Sequence, residues 1–368
     1  MLYVGLDLSR KRLDWLALDR EGGRVASGAV PPDRDGLARL VQRLGDTPVL
    51  AVIESMTGAR FVHDQLELAG WEVRIADAVK ARGIAPLACK TDKIDCWVLA
   101  ELARLELVPE IWLPDPRVRA EREQARFRLH LVKHRSSLKN RIHAILFQHG
   151  IANGHSDLFG AGGRRLLDQL ALPEPWASTV AASLALIDAL DERIAGCERE
   201  LRALGADHRY IPLLLTCPGI GWALAFTIAS EIGDIGRFAS PRKLTGYTGL
   251  CPRVDQSGER DRRGPLRKNG PNYLRWALVE AAHSAARHPH YAPIRERMRA
   301  RHGRNRGTKI AAIEIARRLS ESDLAHAQQR STVCSGRRPC VLGRMTAPNR
   351  IALPEQLQPN SSPQTRVQ

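Results

Sequence analysis

The first hundred residues alternate short apolar runs with amphipathic segments. Runs of strand length, bounded by Gly, Pro or Asp, occur at 2–8, 12–19, 23–30, 48–55 and 71–76. Apolar residues recur with helical spacing at 32–45, at 58–70 and from Asp92 onward. The resulting order, β-β-β-α-β-α-β-α, predicts an α/β layered domain.

Helical patterns dominate the chain beyond a proline-punctuated linker at 109–116. A long basic segment at 117–151 is followed by a helix at 173–204 with a heptad pattern. An apolar residue recurs every seven positions in a first row, which is Val180, Ile187, Ile194 and Leu201. A second row, offset by three positions, is Leu190, Cys197 and Leu204. This pattern predicts a coiled-coil arm, which either pairs two protomers or folds as an antiparallel hairpin within one chain.

The stretch Leu213–Gly233 is typical of a helix-hairpin-helix, because a Pro-Gly-Ile-Gly turn separates two helical segments. Gly219 and Gly221 would let the backbone turn tightly and present amides to a phosphate near a helix N-terminus. An ordinary turn between two helices is the alternative.

Charge favours a polyanionic partner. The 368 residues carry a formal net charge of +16, and the sequence pI is near 10.1. From Cys251 to Ile310 there are fifteen Lys and Arg against five Asp and Glu, a net of +10. Such a block is typical of proteins that bind nucleic acid, although a merely soluble basic surface is the alternative.

Several protein classes are disfavoured by composition. No apolar run is long enough to span a membrane. The seven cysteines form no C-x-x-C pair, which argues against a zinc site or a disulfide framework and favours a reducing compartment. The N-terminus opens directly into a strand-like run, so we expect no signal peptide and a cytoplasmic protein.

Four carboxylates stand at unusual places. Asp92 and Asp95 are three residues apart, and residues at that spacing share a helix face. Asp7 and Glu54 lie in otherwise apolar strands, where an unpaired charge is expensive. Each alone is explained by solvation or by a paired neighbour. Together they form the kind of oxygen-ligand set that Mg²⁺ prefers, and two such ions can serve phosphoryl transfer.

The element order with these carboxylates resembles the ribonuclease H fold in its RuvC-like branch. In that fold the first strand carries an Asp, the fourth strand ends on a Glu, and the last helix supplies the remaining carboxylates. The resemblance implies that a catalytic set binds Mg²⁺ or Mn²⁺, with two ions per site, through Asp7, Glu54, Asp92 and Asp95.

A second motif lies in Tyr247–Ala282, which contains "GLCPR", "SG", Gly264, Lys268, Gly270, Asn272 and "YLRWALVEAA". With the carboxylates, it resembles the DEDD transposases of the insertion-sequence 110 class, a group that includes the Piv-type DNA invertases. The resemblance covers about residues 1–319. One departure is Glu259, where a Gly commonly follows "SG".

The resemblance implies a serine recombinase that also needs metal. Ser257 would attack a DNA phosphate, form a phosphoserine link and free a 3′ hydroxyl, so that the strand can be resealed without ATP. Arg260, Arg262 and Arg263 would clamp phosphates nearby. The full set of expected nucleic-acid contacts is Gly219, Gly221, Arg260, Arg262, Arg263, Arg267, Lys268 and Arg275.

Partners and location follow from the same resemblance. We expect donor and target DNA, a structured guide RNA encoded by the mobile element, and a homo-oligomer, either a dimer or a tetramer. The active site would be assembled between protomers, in a bacterial, nucleoid-associated protein without a membrane partner. A RuvC-type junction nuclease that uses water, and an inactive nucleic-acid-binding remnant of the element, are the alternatives.

The expected fold class is α/β plus α, in four parts. They are a RuvC-like DEDD catalytic domain at 1–108, a helical coiled-coil arm at 117–205, a mostly helical C-terminal transposase domain with the serine motif at 207–320, and a disordered tail at 321–368.

The tail prediction rests on composition. Residues 321–368 contain five prolines but no Phe, Tyr or Trp, and the helical periodicity of the preceding segment stops there. Whether a frame change or a genuine flexible tail produced this end is open. Deletion of the tail should leave the melting temperature unchanged, and hydrogen exchange should show it unprotected. A protected helix there would contradict the frame-change explanation.

Overall fold

The computed structural model describes residues 1–84, 92–257 and 260–323 of this chain. Contacts divide the chain into two compact units, Met1–Ala120 and Glu121–Gln368. Within the described residues, no helix is both long enough and apolar enough to cross a membrane.

The first unit is an α/β layer around one five-stranded sheet. Its strands are β1 (Leu2–Leu8), β2 (Leu13–Leu18), β3 (Arg24–Val30), β4 (Val49–Glu54) and β5 (Glu72–Ala76). Its helices are α1 (Arg34–Leu44), α2 (Ala59–Leu68), α3 (Ala78–Ile84) and α4 (Asp92–Arg104). The predicted order is confirmed. Helix α3 is an addition, which sequence reasoning missed because it is short and has a single buried residue, Ala81.

The strand order in the sheet is β3-β2-β1-β4-β5. Strands β1, β2 and β3 form an antiparallel meander, whereas β4 runs parallel to both β1 and β5. The carboxyl ends of β1 and β4 therefore meet at the same edge of the sheet.

Side-chain alternation gives the sheet two different faces. On one face, Leu6 of β1 and Ile53 of β4 pack in a core with Leu40 of α1 and Leu66 of α2. On the other face, Leu50 and Val52 of β4 pack against α4 through two buried residues, Leu99 and Ala103. Helix α4 therefore covers the face of the sheet opposite to α1 and α2.

Gly5 sets the distance between β1 and α4. A Cβ built at Gly5 would lie 1.8 Å from the carbonyl oxygen of Cys96 and 2.8 Å from the amide nitrogen of Ala100. Both atoms belong to the α4 backbone, so no rotamer change can relieve the clash. Only glycine permits this contact.

The second unit is mainly helical. The helices after α4 are α5 (Pro116–Gln148), α6 (Ala161–Gln169), α7 (Trp176–Gly205), α8 (Ile211–Leu214), α9 (Trp222–Ile232), α10 (Pro241–Thr248), α11 (Asn272–Ala285), α12 (Ala292–His302) and α13 (Arg304–Arg318). A 3₁₀ turn spans Ile235–Arg237, and a π-helical turn spans Leu319–Asp323. The only strands described in this unit are β6 (Pro252–Ser257) and β7 (Arg260–Leu266).

Helices α5 and α7 pack antiparallel within the chain. Arg128 pairs with Glu198, and seven residues further along α5, Arg135 pairs with Asp191, seven residues back along α7. Between the helices, Ile142 and Ile145 form a buried cluster with residues of α7 that include Val180 and Ile187. All four residues of the first predicted heptad row are buried inside the chain. The heptad pattern left open a pairing of two protomers or an antiparallel hairpin within one chain, and the described helices form the hairpin.

The core of the second unit surrounds α9, whose residues from Ala225 to Ile232 are all buried. Glu231 is fully buried there and accepts hydrogen bonds from Arg126, at 2.7 Å from Nε and 3.0 Å from Nη2. Burial alone would lower the pKa of Arg126, but the hydrogen bonds and charge of Glu231 outweigh it and raise that pKa. This pair ties α5 to α9.

The β6–β7 hairpin was not predicted. Its strands, "PRVDQS" and "RDRRGPL", are polar at most positions, so the apolar alternation that identifies a strand is absent. The predicted tail is mostly untested, because residues 324–368 lie outside the described residues.

The contact at Gly5 predicts a large effect of a small substitution. Gly5→Ala should destabilise the first unit by about 3 kcal/mol, since overpacking against an immovable backbone costs about 1–3 kcal/mol or more. The matched control is Gly83→Ala in α3, where an added Cβ meets nothing within 4 Å. Urea unfolding of both variants measures the difference. Equal stability of Gly5→Ala and the wild type would show that α4 does not rest on β1.

Candidate active site

Two of the predicted carboxylates come from neighbouring parallel strands. The β1–β4 register pairs Gly5 with Val52 and Leu6 with Ile53, so Asp7 and Glu54 occupy the next pair of positions. Both residues are half-buried at the carboxyl edge of the sheet. Residues from distant parts of the sequence are brought together here by strand pairing alone.

Both carboxylates lie on the α4 face of the sheet. Side chains alternate along a strand, and Leu6 and Ile53 belong to the core on the α1–α2 face. Asp7 and Glu54, the next residue in each strand, therefore face the other way. Both belong to the side that α4 covers.

Helix α4 supplies the other two positions. Cys96 and Leu99 are buried against the sheet, and Asp92 and Asp95 each precede one of them by four residues, which is one helical turn. Residues four apart lie on the same face of a helix, and Cα–Cβ bonds tilt toward its N-terminus. Asp92 and Asp95 therefore continue the sheet-facing row of α4 toward the start of the helix. Asp95 is half-buried. The side chain of Asp92 lies outside the described part of the structure.

The donor set fits a hard divalent cation in kind, because it consists of carboxylate oxygens. Across the described residues, the side chains of His, Cys, Asp and Glu form no group of three placed to hold a metal ion. That search includes Asp7, Glu54 and Asp95 but not Asp92. The backbone thus places Asp7 and Glu54 at one edge of the sheet and Asp95 in the helix that covers their face, while the ligand set stays a prediction.

A fifth carboxylate, Asp14, lies beside them and was missed by sequence reasoning. The β1–β2 register places Asp14 directly opposite Asp7, where residues of an antiparallel pair lie about 5 Å apart. Asp14 is 15% exposed and accepts hydrogen bonds from Nε and Nη2 of Arg12 at 2.7–3.0 Å. The signal available in the sequence was that Asp14 is the single charged residue in the otherwise apolar run of β2.

The predicted nucleophile lies in the second unit. Ser257 ends β6, where the register pairs it with Arg260 at the start of β7. The side chains of Ser257, Arg260 and Arg263 lie outside the described residues. Their roles therefore stay predictions.

The remaining predicted nucleic-acid contacts differ in accessibility. Arg262, Arg267, Lys268 and Gly221 are exposed. Arg275 donates a hydrogen bond to the carbonyl oxygen of Thr248 at 3.4 Å, so it holds α11 to the end of α10.

Gly219 has a structural reason of its own. Its φ is +83°, and an added Cβ would lie 2.4 Å from the carbonyl oxygen of Ala281 in α11. The helix before the turn is the single-turn α8, which is shorter than a typical helix-hairpin-helix element. Close packing on α11 thus accounts for Gly219 without a nucleic acid.

Two family models match the chain, in the order in which their segments occur. A DEDD-type model of the IS110 group, described as "Transposase", matches residues 4–151. A second model, described as "Transposase IS116/IS110/IS902 family", matches residues 211–301. The chain belongs to the IS116/IS110/IS902 family of transposases.

Individual relatives agree with this family. The chain is 27% identical over 285 residues to the "Transposase for insertion sequence element IS1328" of Yersinia enterocolitica, an alignment that covers 76% of this chain and 82% of that protein. It is also 27% identical over 167 residues to the "Transposase for insertion sequence element IS1111A" of Coxiella burnetii, which covers 43% of this chain and 44% of that protein.

The predicted site residues of this transposase are divided between the two matched segments. All four predicted metal ligands fall in the first segment, and Ser257 falls in the second. Membership of the family supports DNA transposase activity and DNA binding, and the DEDD domain indicates a divalent metal cofactor.

The placement of Asp7 and Asp95 predicts that substitution of either residue weakens the metal affinity of this transposase. Each of Asp7→Asn and Asp95→Asn should weaken Mn²⁺ binding at least about tenfold, because even outer-shell partners of a metal ligand are worth about 10- to 100-fold. Asp46→Asn, at an exposed aspartate after α1, is the matched control. Electron paramagnetic resonance of free Mn²⁺ during a titration measures the affinity. Equal affinity of the three variants would remove Asp7 and Asp95 from the site.

Proposed function

We propose that this transposase cuts and rejoins DNA strands with Ser257 as nucleophile, assisted by two Mg²⁺ or Mn²⁺ ions held by Asp7, Glu54, Asp92 and Asp95. The single observation that supports the proposal is the parallel pairing of β1 with β4, which brings Asp7 and Glu54 to one edge of the sheet on the face that α4 covers. It lies within the segment matched by the DEDD transposase model.

The fold proposal rests on connectivity. We infer that the first unit is a ribonuclease H-like domain of the RuvC branch. Its support is the antiparallel β1-β2-β3 meander that continues into parallel β4 and β5, with a separate helix over the face that carries Asp7 and Glu54.

The carboxylates would act by holding charge at fixed positions. Asp7 and Glu54 are held by strand pairing, and Asp95 by a helix whose backbone rests on Gly5, so the three need little reorganisation. Divalent ions held by these carboxylates would lower the pKa of an attacking oxygen and offset charge on the leaving oxygen.

Ser257 would carry the covalent step. Its hydroxyl oxygen attacks the phosphorus of a phosphodiester and loses its proton, and the bond from phosphorus to the 3′ oxygen breaks. That oxygen takes up a proton and becomes a 3′ hydroxyl, while the 5′ phosphate stays on the serine. A free serine is a weak nucleophile, so its hydroxyl would need activation by the metal ions at the carboxylates.

Nucleic-acid recognition would rest on the basic second unit. Arg262, Arg267 and Lys268 are exposed on and after β7, within the segment of net charge +10. We propose that donor and target DNA bind there, that Arg260, Arg263, Arg275, Gly219 and Gly221 complete the contacts, and that an element-encoded guide RNA selects the sequence. Contacts to phosphates carry no sequence information, and the guide RNA would supply it by base pairing.

The assembly would be a homo-oligomer in which Ser257 of one protomer serves the carboxylates of another. Because the heptad row of α7 is buried within the chain, protomers would meet through other surfaces. We propose functional boundaries at 1–108 for the catalytic domain, 117–205 for the arm and 207–320 for the serine-bearing domain.

Replacement of the nucleophile separates this proposal from its alternatives. Ser257→Ala should abolish strand cleavage and the covalent protein–DNA adduct and leave DNA binding intact, measured on DNA containing the element ends with Mg²⁺ and the flanking RNA transcript. Ser136→Ala, at an exposed serine of α5, is the matched control. Cleavage by Ser257→Ala without an adduct in the wild type would instead support a water-using junction nuclease. If the wild type cleaves no DNA, the result would support an inactive nucleic-acid-binding remnant of the element.

Mixing inactive variants tests whether protomers share a site. Asp7→Asn should be as inactive as Ser257→Ala when each is alone. A mixed oligomer of the two holds an intact serine beside intact carboxylates, so cleavage should return. An absence of cleavage in mixed oligomers shown to form would place the serine and carboxylates in one chain.

A further inference from the structure

A groove in the second unit lies between the base of the β6–β7 hairpin and helix α13. Its volume of about 590 Å³ falls within the range of about 300–1,000 Å³ that ligand pockets occupy. Its floor is apolar and includes Pro252, Pro265, Leu266, Ile310 and Ile313. Pro265 is exposed and the other four are half-buried, so the described residues leave this floor open to a ligand.

A β-bulge shapes the hairpin side of the groove. The register pairs Pro252 with Leu266. Two residues further along β6, Val254 pairs with Arg263, which is three residues back along β7. The extra residue of such a bulge stays outside the ladder, and proline suits the position because it has no N–H to donate. The bulge therefore presents Pro265 as apolar surface beside α13.

Helix α13 contributes a single stripe of side chains to the groove. Its members are three or four residues apart and therefore share one helix face: Arg306, Ile310, Ile313 and Arg317. At a rise of 1.5 Å per residue, the two arginines stand about 16 Å apart along the helix axis, with the isoleucines between them. The stripe is thus cationic at both ends and apolar in the middle.

The positive charge on the rim is available to a ligand. Arg306 and Lys309 are exposed, and neither forms a hydrogen bond or an ion pair with another described residue. Glu314, the carboxylate among the lining residues, accepts hydrogen bonds from Arg317 at 3.4 Å and from Arg318 at 3.2 Å. Its charge is therefore already neutralised, and the rim favours an anionic partner.

The apolar floor decides which anion fits. A duplex keeps its bases stacked inside and presents phosphates, so it would leave the floor unused. An unpaired nucleotide offers the flat face of a base between two phosphates, and proteins bind such bases against aromatic or apolar side chains within a positively charged groove. The arrangement of cations around an apolar centre matches a single strand.

The position of the groove indicates which strand. Strand β6 begins at Pro252 in the floor and ends at Ser257, five residues further on, which corresponds to about 17 Å. A stacked strand rises about 3.4 Å per nucleotide, so the groove and Ser257 are about five nucleotides apart. A DNA strand that reaches Ser257 is therefore long enough to reach the groove.

We propose that this groove binds an unpaired nucleotide of the DNA strand that Ser257 cuts, about five nucleotides from the cut. Arg306 and Lys309 contact the flanking phosphates, and Ile310 contacts the base. The inference rests on the proposed function, which supplies the strand. A strand held at this point would keep its register on the hairpin while it is joined to the serine.

Two fluorescent probes test the floor by anisotropy with the full-length protein. One is an oligodeoxythymidine, and the other has the same phosphates but abasic sugars. The wild type should bind the first at least about fivefold more tightly, because a stacked base contributes about that much or more. Ile310→Ser should lose most of this preference, and Ile310→Met, which keeps an apolar side chain, should retain it.

The salt dependence of binding tests the rim. Each phosphate contact on a single strand contributes about 0.7 to the slope of log affinity against log salt concentration. Arg306→Gln and Lys309→Gln should each lower the slope by about that amount and keep the preference for bases. Arg297→Gln, at an exposed arginine of α12 outside the groove, is the matched control and should leave the slope unchanged. Melting temperatures show whether each variant folds, and the floor and the rim are tested by separate variants.

Abasic scanning of single-stranded DNA from the element end tests the choice of strand. One abasic sugar about five nucleotides from the cut should reproduce the loss of affinity in the wild type and have little effect in Ile310→Ser. A scan without such a position would overturn the assignment to this strand.

The outcomes distinguish this inference from the proposed function. If Ile310→Ser keeps the wild-type preference for bases, or if both rim variants keep the wild-type slope, the groove proposal is overturned even in a protein that cleaves DNA. If the wild type cleaves no DNA but the floor and rim variants respond as stated, the proposed function fails and the groove still binds single-stranded DNA. A response confined to RNA probes would assign the groove to the guide, and a changed oligomeric state in the variants would assign it to a second copy of the chain. Either result would overturn the proposal.

Discussion

The close contact between β1 and α4 is the constraint on which the first unit depends. The Cys96 carbonyl oxygen lies where a side chain at residue 5 would begin, so a single missing Cβ sets the separation of helix and sheet. That separation holds Cys96, the residue after Asp95, against the strand that carries Asp7. Packing and candidate chemistry thus rest on the same glycine.

Pattern reasoning predicted the first unit well because its strands are apolar and its helices amphipathic. The carboxylates were found because they interrupt that pattern, as Asp7 and Glu54 do. Asp14 interrupts the apolar run of β2 in the same way, and it was missed because only the β1–β2 register shows it opposite Asp7. The β6–β7 hairpin was missed because its strands are polar at most positions and lack apolar alternation.

The second unit shows where a sequence motif has two physical explanations. Gly219 fits a phosphate-binding turn by sequence, yet its close packing against Ala281 is sufficient to require glycine. The heptad row of α7 fits a dimer by sequence, yet the ion pairs of Arg128 and Arg135 show it folded against α5. In both cases the sequence indicates that a residue is constrained, and only the contacts show by what.

The central claim is that Asp7, Glu54, Asp92 and Asp95 hold divalent ions at the carboxyl edge of the sheet. The most direct measurement is anomalous diffraction from crystals of the protein soaked in Mn²⁺. The account predicts two anomalous peaks about 4 Å apart, each within bonding distance of carboxylate oxygens from this set. Peaks elsewhere, or an α4 whose Asp92 and Asp95 face solvent away from Glu54, would contradict it.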